Sequence, residues 1–421
     1  MIIPSIDISQ GRAVQLRRGR HLVLEGGDPL ERLDEFAVAG EVAVVDLDAA
    51  RGVGNNTELI RQMVRLARCR VGGGIRTTDA ARRWLDAGAE RVIIGTAASV
   101  EFCAQLPRDR VVAAVDAEHG EVVVEGWETR TGFPVLDRIT QLAPVVGGFL
   151  LTQVEHEGAM AGFDVELVEA AVAAAGTARV TAAGGITTAG EIADLHALGA
   201  DAQIGMALYS GALALGEAIA APLTRPIDGE LWPTVVVDEL GTSLGLVWSS
   251  RESLTEAVAR RRGVYWSRSR RELWVKGATS GATQELLAID LDCDGDALRF
   301  TVRQSGSGFC HTGQPACWRP EFNLGTLDRA IARRMVLPDP ESGTTRLLSD
   351  PGLLKAKLSE EAAELAEAVT TDEVVHEAAD LVYFALVRLR QAGGSLADLQ
   401  QELAGRNRRL TRRPMQAKST P

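Results

Sequence analysis

The first half of the chain alternates short apolar runs with longer amphipathic stretches rich in alanine and leucine. Apolar runs such as residues 2–6 and 111–115 have the length of strands, and the stretches between such runs have helical spacing. This alternation is typical of parallel βα units, in which helices cover a sheet of neighbouring strands. The pattern therefore predicts an α/β domain over residues 1–221.

Three sequence features occur twice, and the two copies of each are separated by 109 to 111 residues. A repeat of this length holds four βα units, so two copies predict an eight-stranded (βα)8 TIM barrel with pseudo-twofold symmetry. The paired features are Asp7 with Asp116, Gly73-Gly74-Ile75 with Gly184-Gly185-Ile186, and Ile94-Gly95-Thr96-Ala97 with Ile204-Gly205-Met206-Ala207.

The repeated glycines follow predicted strands, where backbone N–H groups and helix N-termini can bind phosphate. Two such loops at one barrel mouth suit a long substrate that carries a phosphate at each end. Asp7 and Asp116 would lie between the loops, where they could serve as general acid and base. The alternative is that the glycines form only tight turns and the aspartates cap helices. The candidate phosphate-binding residues are Gly73, Gly74, Gly95, Thr96, Gly184, Gly185 and Gly205.

Two proline-containing segments without periodicity, residues 221–229 and 318–320, indicate domain boundaries. They predict a multidomain chain in three parts. The barrel occupies residues 1–221, a small α+β domain follows over residues 230–320, and an all-α helical domain covers residues 324–410.

Three of the five cysteines lie between positions 293 and 317; Cys293 interrupts a run of aspartates, and Cys310 precedes His311. If this run belongs to a strand marked by Phe300, the aspartates point to one face and Cys293 to the other. One face would offer oxygen ligands for Mg²⁺ and the other a thiolate for Zn²⁺. Three thiolates would leave a fourth zinc position for water, as in catalytic sites. The alternative is an acidic turn at Gly295 with scattered buried cysteines.

Residues 324–408 have helical periodicity and contain two pairs of carboxylates at i,i+3 spacing. Across a helical hairpin, these pairs would form an oxygen cage for Mg²⁺ bridging a triphosphate. Asp380 lies in an apolar helix, where a carboxylate is costly without a metal or a charged partner. Lys357 can pair with Glu361, so a solvated charged face is the alternative. The four candidate ligands are Glu361, Glu364, Glu377 and Asp380.

Composition narrows the range of functions. A net charge of −12 disfavours non-specific binding to nucleic acid or to anionic membranes. Five cysteines, three of them candidate zinc ligands, do not form a disulfide framework, which indicates a reducing cytoplasm. The sequence predicts neither a signal peptide nor a membrane span.

The motifs of residues 1–221 resemble those of ProFAR isomerase, the barrel enzyme that converts a phosphoribosyl aminoaldose to an aminoketose in histidine biosynthesis. The resemblance implies that Asp7 is a general acid or base, Asp116 its counterpart and Thr152 a supporting hydroxyl. The matching motifs include Ile3-Pro4, Ile6-Asp7, Val71-Gly72-Gly73-Gly74-Ile75-Arg76, Gly126-Trp127-Glu128 and Ala207-Leu208-Tyr209-Ser210-Gly211. The departures from the family pattern are Gln15, Arg20, Gln153 and Glu157.

The middle segment contains Arg262-Gly263-Val264-Tyr265-Trp266-Ser267-Arg268-Ser269-Arg270 and Leu273-Trp274-Val275-Lys276-Gly277. These motifs resemble phosphoribosyl-AMP cyclohydrolase, which opens an adenine ring by hydrolysis. The resemblance implies a homodimer, in which Cys293 of one subunit and Cys310 and Cys317 of the other bind zinc. It also implies proton transfer by His311. The implied magnesium ligands are Asp292, Asp294 and Asp296, and the substrate contacts are Arg268, Ser269, Arg270 and Lys276. Ala278 replaces the glutamate usual in the family.

The helical segment resembles phosphoribosyl-ATP pyrophosphohydrolase through Lys357-Leu358-Ser359-Glu360-Glu361-Ala362-Ala363-Glu364-Leu365 and Glu377-Ala378-Ala379-Asp380-Leu381. Glu361 and Glu364 are implied to be catalytic as well as metal ligands. The C-terminal half as a whole resembles part of the fungal multifunctional histidine-biosynthesis protein.

Together these resemblances predict three consecutive reactions on phosphoribosyl nucleotides: release of pyrophosphate, ring opening and isomerisation. One alternative keeps the two hydrolytic activities and makes the barrel a non-catalytic scaffold. A second alternative, a nucleotide-pool hydrolase unrelated to histidine, is disfavoured by the barrel and by the Cys310-His311-Thr312-Gly313 motif.

Overall fold

A computed structural model of the protein describes most of the chain. The described residues are 1–17, 21–124, 127, 129–157, 162–224, 231–319 and 322–411. Three sequence features lie wholly or partly outside them: Arg20, two residues of the Gly126-Trp127-Glu128 motif, and the segment 225–230 between the first two predicted domains.

The first region is a closed barrel of eight parallel strands, which confirms the (βα)8 prediction. Closure follows from two pairings, since β7 contacts β10 as well as β6, and β12 pairs with β1. The strands of this region are β1 (Ile2–Ser9), β2 (Arg12–Arg17), β3 (His21–Gly27), β4 (Glu41–Asp46), β5 (Arg68–Gly72), β6 (Arg91–Ile94), β7 (Val111–Glu118), β8 (Glu121–Val124), β9 (Thr129–Pro134), β10 (Gly148–Gln153), β11 (Arg179–Ala183) and β12 (Asp201–Ile204).

The internal repeat extends beyond the motifs seen in the sequence. Antiparallel strands β2 and β3 follow β1, and antiparallel strands β8 and β9 follow β7, so each half begins with the same extension. The helices around the barrel are α1 (Pro29–Phe36), α2 (Leu47–Arg51), α3 (Thr57–Leu66), α4 (Thr78–Ala87), α5 (Val100–Cys103), α6 (Val135–Leu142), α7 (Val165–Ala175), α8 (Ala189–Ala197), α9 (Met206–Tyr209) and α10 (Leu215–Ala220).

A buried ion pair lies among the strands of the barrel. The Arg70 guanidinium is 2.9 Å from a carboxylate oxygen of Glu41 and donates to the Thr181 hydroxyl at 3.0 Å. Thr181 is the repeat equivalent of Arg70, 111 residues later in the chain, so this contact joins the two halves. Arg91 also contacts Glu41, at 2.6 Å. The two buried charges compensate each other, and removal of either side would leave the other buried and unpaired.

The middle region combines a four-stranded sheet, ordered β14-β13-β18-β17, with a two-stranded hairpin, β15-β16. Its core includes the fully buried side chains of Tyr265 and Phe300, whose ring centroids are 5.5 Å apart. The elements are β13 (Trp232–Asp238), β14 (Ser243–Ser249), α11 (Arg251–Arg260), β15 (Val264–Ser267), β16 (Glu272–Val275), β17 (Gln284–Leu291) and β18 (Leu298–Gln304).

The last region is helical, as predicted. Leu354 of α14 and Phe384 and Val387 of α15 belong to its separate apolar core. The helices are α12 (Leu324–Val336), α13 (Gly343–Ser349), α14 (Pro351–Glu367), α15 (Thr371–Gln391) and α16 (Leu396–Arg408). No helix in the described ranges is long and apolar enough to cross a membrane.

Specific hydrogen bonds join the three regions. Thr224, after the barrel, donates its backbone N–H to the carbonyl of Gly295 at 2.9 Å. Arg329 of α12 contacts Asp238 of β13 at 3.0 Å. Thr411 donates its hydroxyl to Asp86 of α4 at 2.6 Å. The chain after α16 therefore returns to the outer helices of the barrel.

Candidate functional sites

Asp116 occupies the second half of the barrel mouth. It lies in β7, directly beside Thr152 of β10. Burial raises the pKa of the Asp116 carboxyl, and hydrogen bonds with the side chains of Trp127 and Thr152 partly oppose this shift. Trp127 has a φ of 70°, an uncommon conformation for a bulky residue. The structure thus brings together Asp116, Thr152 and the tryptophan of the isomerase-like motif.

Asp7 lies in β1, and a third carboxyl, that of Glu157, lies near both barrel aspartates. Burial raises the pKa of Asp7 to about 7. Burial also raises the pKa of Glu157 to about 7, and the charges of Asp7 and Asp116 add to this effect. One Glu157 oxygen is buried without a hydrogen-bond partner in the described structure. From the sequence, Glu157 was identified only as a departure from the family pattern, whereas the structure places its carboxyl near both aspartates of the site.

The repeated glycine pairs are required by close backbone contacts. Gly73 and Gly184 have φ angles of 94° and 95°. A Cβ on Gly73 would lie 2.2 Å from the carbonyl oxygen of Asp46, and one on Gly185 would lie 2.0 Å from that of Gly162. These contacts support the tight-turn interpretation of the pairs, and phosphate binding there stays a prediction. Gly95 differs, because a Cβ there would meet nothing within 4 Å.

Two of the sequence departures have structural roles. Gln153 is buried; its side-chain oxygen accepts the backbone N–H of Asp164 at 2.7 Å, and its amide nitrogen donates to the Asp164 carbonyl at 3.2 Å. An ionised carboxylate could accept the first bond but could not donate the second. Gln15 is also buried and donates to the carbonyl of Val14 at 3.0 Å. Glutamine at position 153 therefore holds the segment that leads into α7.

The run of aspartates in the middle region lies in a turn, so the predicted placement on two faces of a strand is wrong. β17 ends at Leu291, β18 begins at Leu298, and Gly295 has a φ of 75°. The left-handed turn interrupts the alternation on which that prediction depended. The turn nevertheless gathers three carboxylates whose oxygens lie within 4.8 Å of one another. They belong to Asp292, Asp294 and Asp296.

Hydrogen bonding shifts the pKa values of two of these carboxylates in opposite directions. Burial disfavours the charge on Asp292, but backbone N–H groups of Ala297 and Asp296 donate to it at 3.0 Å and its pKa is lowered. The pKa of Asp296 is raised by its bond with Asp292 and by the charge of Asp294. A divalent cation would relieve this crowding, so the donor set fits Mg²⁺.

The cysteines are accessible, which contradicts the alternative of scattered buried thiols: Cys293 and Cys317 are exposed and Cys310 is half-buried. The Thr312 hydroxyl donates to the Cys310 sulfur at 3.1 Å and lowers the pKa of that thiol. Cys317 lies beside Cys310, and burial together with the Cys310 charge raises its pKa. Within the described ranges, no potential metal-binding group of three side chains includes a cysteine. One chain thus brings together two of the three predicted zinc ligands.

Lys276 and His311 lie beside these cysteines. Burial lowers the pKa of Lys276, while the charges of Cys317 and Cys310 oppose that shift. His311 Nδ1 is 3.9 Å from the Cys310 sulfur. A lysine next to two thiols favours their thiolate forms, which are the forms that bind zinc. Lys276 was predicted only as a substrate contact, and its position near the thiols was not foreseen.

Three further predicted substrate contacts follow β15, at the turn of its hairpin with β16. Arg268, Ser269 and Arg270 are exposed. The Arg268 guanidinium lies 4.4 Å from the centroid of the Trp248 ring, and Arg270 contacts Glu272 at 3.1 Å. Arg268 is therefore held over β14 by a cation–π contact.

The helical region contains a cluster of carboxylates between α14 and α15. Oxygens of Glu361, Glu377 and Asp380 lie within 4.8 Å of one another, and Glu361 also forms such a group with Glu360 and Glu364. Glu360 was not predicted as a ligand. The pKa of Glu364 is raised by burial and then by the charges of neighbouring glutamates. This concentration of negative charge fits a Mg²⁺ site.

The buried member of this cluster is Glu361 rather than Asp380. The side chain of Asp380 is 44% exposed and lies 3.6 Å from His376, so the predicted burial of its charge is wrong. The Glu361 side chain is 5% exposed and lies 2.7 Å from the Lys357 ammonium. This ion pair was part of the alternative interpretation, but the low exposure of Glu361 does not fit a plain solvated face.

Comparison with known families divides the chain in the same way. A family model described as histidine biosynthesis protein matches residues 1–214, one for phosphoribosyl-AMP cyclohydrolase matches residues 245–319, and one for phosphoribosyl-ATP pyrophosphohydrolase matches residues 324–407. Each match contains one of the clusters described above.

Curated relatives match about half of this chain. The histidine biosynthesis bifunctional protein HisIE of Synechocystis is 40% identical over 47% of this chain and 98% of its own length. The bifunctional protein his7 of Schizosaccharomyces pombe is 45% identical over 49% of each chain. The trifunctional protein of Neurospora crassa is 50% identical over 46% of this chain and 22% of its own length. The chain thus spans half or less of these two fungal relatives.

The raised pKa of Asp7 predicts that replacing this residue stabilises the fold at high pH. The folded state holds the Asp7 proton more tightly, so ionisation costs stability as pH rises from the ordinary value of 3.8 to about 7. Asp7→Asn should therefore raise the melting temperature at pH 8, by roughly 2–4 °C per kcal/mol recovered, and change it little at pH 4. Differential scanning calorimetry tests this. The surface control Asp194→Asn should match the wild type at both pH values, and a lower melting temperature of Asp7→Asn at pH 8 would refute the expectation.

Proposed function

The chain belongs to the histidine biosynthesis protein family, and we propose that it catalyses three consecutive reactions of that pathway. The helical region releases pyrophosphate from phosphoribosyl-ATP, the middle region opens the adenine ring of phosphoribosyl-AMP, and the barrel isomerises the resulting aminoaldose to the aminoketose. The observation that carries this proposal is the order of three family matches, each containing its own cluster of reactive side chains.

Isomerisation of an aldose to a ketose needs one group to protonate the ring oxygen and another to remove a proton from the adjacent carbon. Asp7 and Asp116 supply this pair from opposite halves of the barrel. A carboxyl with a pKa of about 7, as at Asp7, is partly ionised at neutral pH and can give or take a proton there. Trp127 and Thr152 fix the orientation of Asp116, and the raised pKa of Glu157 limits additional negative charge in the mouth.

Ring opening requires attack of water on the adenine ring. Zinc, when bound by Cys293, Cys310 and Cys317, supplies a water of lowered pKa. Lys276 favours the thiolate forms of Cys310 and Cys317, and His311 is placed beside them to transfer protons. Cys293 lies in the separate turn between β17 and β18. From the resemblance to the cyclohydrolase family we infer that Cys293 of a second chain completes the ligand set, so that the protein is a homodimer.

Pyrophosphate release requires a triphosphate to approach a carboxylate cluster. Mg²⁺, when bound, neutralises the phosphate charges. Glu361, Glu364, Glu377 and Asp380 would hold the ion, and Lys357 fixes the buried Glu361 carboxylate. The carboxylates of Asp292, Asp294 and Asp296, which lie together in one turn, would hold magnesium for the cyclohydrolase reaction. We place these reactions in the cytoplasm, where thiols stay reduced.

The barrel reaction is tested with Asp7→Asn. Loss of one general acid or base typically costs about 10²–10⁴-fold in rate, so isomerisation by the full chain should fall by that factor while both hydrolyses continue. Coupled assays of the three reactions measure this. The control Asp194→Asn should keep all three. A wild-type chain that performs both hydrolyses without isomerisation would identify the barrel as a scaffold.

The ring-opening site is tested with Cys293→Ser. We expect loss of bound zinc, measured by atomic absorption, and loss of ring opening, while pyrophosphate release persists. Cys103→Ala, which changes a buried thiol of the barrel, should retain zinc and ring opening. If Cys293→Ser keeps one zinc per chain and full activity, the ligand assignment fails.

The helical site is tested with Asp380→Asn. Because its side chain is 44% exposed, the substitution should leave the helical fold intact. Magnesium-dependent pyrophosphate release should fall by at least about 10²-fold, since one ligand of the triphosphate-bound ion is removed. Glu367→Gln, at the exposed end of α14, is the matched control and should retain activity. Unchanged release by Asp380→Asn would make the cluster structural.

A further inference from the structure

The ring of Tyr209 is fixed at the barrel mouth, close enough to Asp7 for the Asp7 charge to act on its hydroxyl. Tyr209 ends α9, which begins two residues after β12, and β12 pairs with β1, the strand that contains Asp7. The Phe36 ring meets it edge-on with centroids 5.5 Å apart. A Cβ on Gly26 would lie 2.3 Å from a carbon of the Tyr209 ring. This packing leaves the ring little freedom to move.

The hydroxyl of the same residue has no such support. Its oxygen is buried, yet it has no hydrogen-bond partner within the described structure. An unpaired buried hydroxyl destabilises a fold, and phenylalanine would provide the same ring without that cost. The packing of the ring therefore does not explain why the residue is tyrosine.

Burial, more than the surrounding charges, keeps the Tyr209 hydroxyl protonated and able to donate a hydrogen bond. The charged groups that face it are Asp7 from β1 and Arg32 and Glu35 from α1, and the Arg32 guanidinium lies 5.6 Å from the ring centroid. Burial, then the Asp7 charge, raises the Tyr209 pKa, so the hydroxyl keeps its proton at any pH at which the enzyme works. Asp7 in turn faces Tyr209 and Glu157, and burial raises its own pKa to about 7.

We propose that Tyr209 is a positioning residue for the isomerisation, whose O–H donates a hydrogen bond to the Asp7 carboxylate in the substrate-bound site and favours its ionised form. This inference rests on the proposed isomerase function. The bond orients Asp7 toward the carbon from which it removes a proton. It also counters the burial that disfavours the charge, because hydrogen bonding to an ionised form stabilises that form.

The test is Tyr209→Phe in the full chain, which keeps the ring and removes only the hydroxyl. We expect the kcat of isomerisation at pH 7 to fall by about tenfold, with KM little changed, and the acidic limb of the kcat–pH profile to move up by about one pH unit. The melting temperature should not fall, because the hydroxyl has no bond to lose in the empty site.

Tyr265→Phe is the matched control. The Tyr265 hydroxyl is buried and donates to Gln284 Oε1 at 2.7 Å, in the middle region. Its removal should lower the melting temperature and leave both the isomerisation rate and its pH profile unchanged. Both substitutions remove a tyrosine hydroxyl oxygen. The Tyr209 hydroxyl has no hydrogen-bond partner in the described structure, whereas the Tyr265 hydroxyl has one.

The outcomes separate this inference from the function on which it rests. A wild-type chain that does not isomerise the substrate overturns both. A wild-type chain that isomerises, together with Tyr209→Phe of unchanged kcat and pH profile, overturns the role of Tyr209 alone. A lowered kcat without movement of the acidic limb also overturns the role of Tyr209. So does a lowered kcat together with a lowered melting temperature or loss of folding, because the hydroxyl would then act by stabilising the fold.

Discussion

Closure of the parallel sheet is the constraint on which the barrel site depends. Because β7 pairs with β10 and β12 pairs with β1, the carboxyl ends of eight strands are held around one mouth. Asp7 and Asp116, 109 residues apart in the chain, come from strands in equivalent positions of the two halves. The contact between Arg70 and Thr181 joins the same two halves among the buried strands. The twofold repeat thus positions both the hydrogen bond that links the halves and the Asp7 and Asp116 carboxyls, one from each half of the mouth.

Closure of the barrel also lowers the stability of the fold when the site carboxyls ionise, because it shields them from water. The pKa values of Asp7, Asp116 and Glu157 are all raised, with burial as the first cause in each case. Asp7 and Glu157, whose pKa values lie at about 7, weaken the fold when they ionise, yet they can exchange protons near neutral pH. The middle and helical regions accommodate their carboxylates differently. Their aspartates and glutamates crowd one another on largely accessible surfaces, and the crowding would be relieved by a cation rather than by a proton.

Much of this could be predicted from the sequence, for identifiable reasons. The 110-residue repeat implied the barrel because paired motifs at one period require paired βα units. The turn at Gly295 was predicted only as the alternative, because alternating aspartates imitate the two-residue period of a strand. The burial of Asp380 was overestimated because apolar neighbours in sequence do not specify which side of α15 faces α14. Glu157 and Tyr209 were missed as site residues, since only the closed barrel brings the segment after β10 and the end of α9 near Asp7.

The three clusters also differ in what a single chain can complete. The barrel carboxyls and those of α14 and α15 come together within one polypeptide. Cys310 and Cys317 approach each other beside Lys276, while Cys293 lies in the turn between β17 and β18. A zinc site that takes Cys293 from a second chain would therefore make dimerisation a condition of ring opening alone. Because the three regions belong to one chain, such a dimer would contain two barrels, two helical clusters and two zinc sites. The three kinds of active site would therefore be present in equal number, whichever of the three reactions is the slowest.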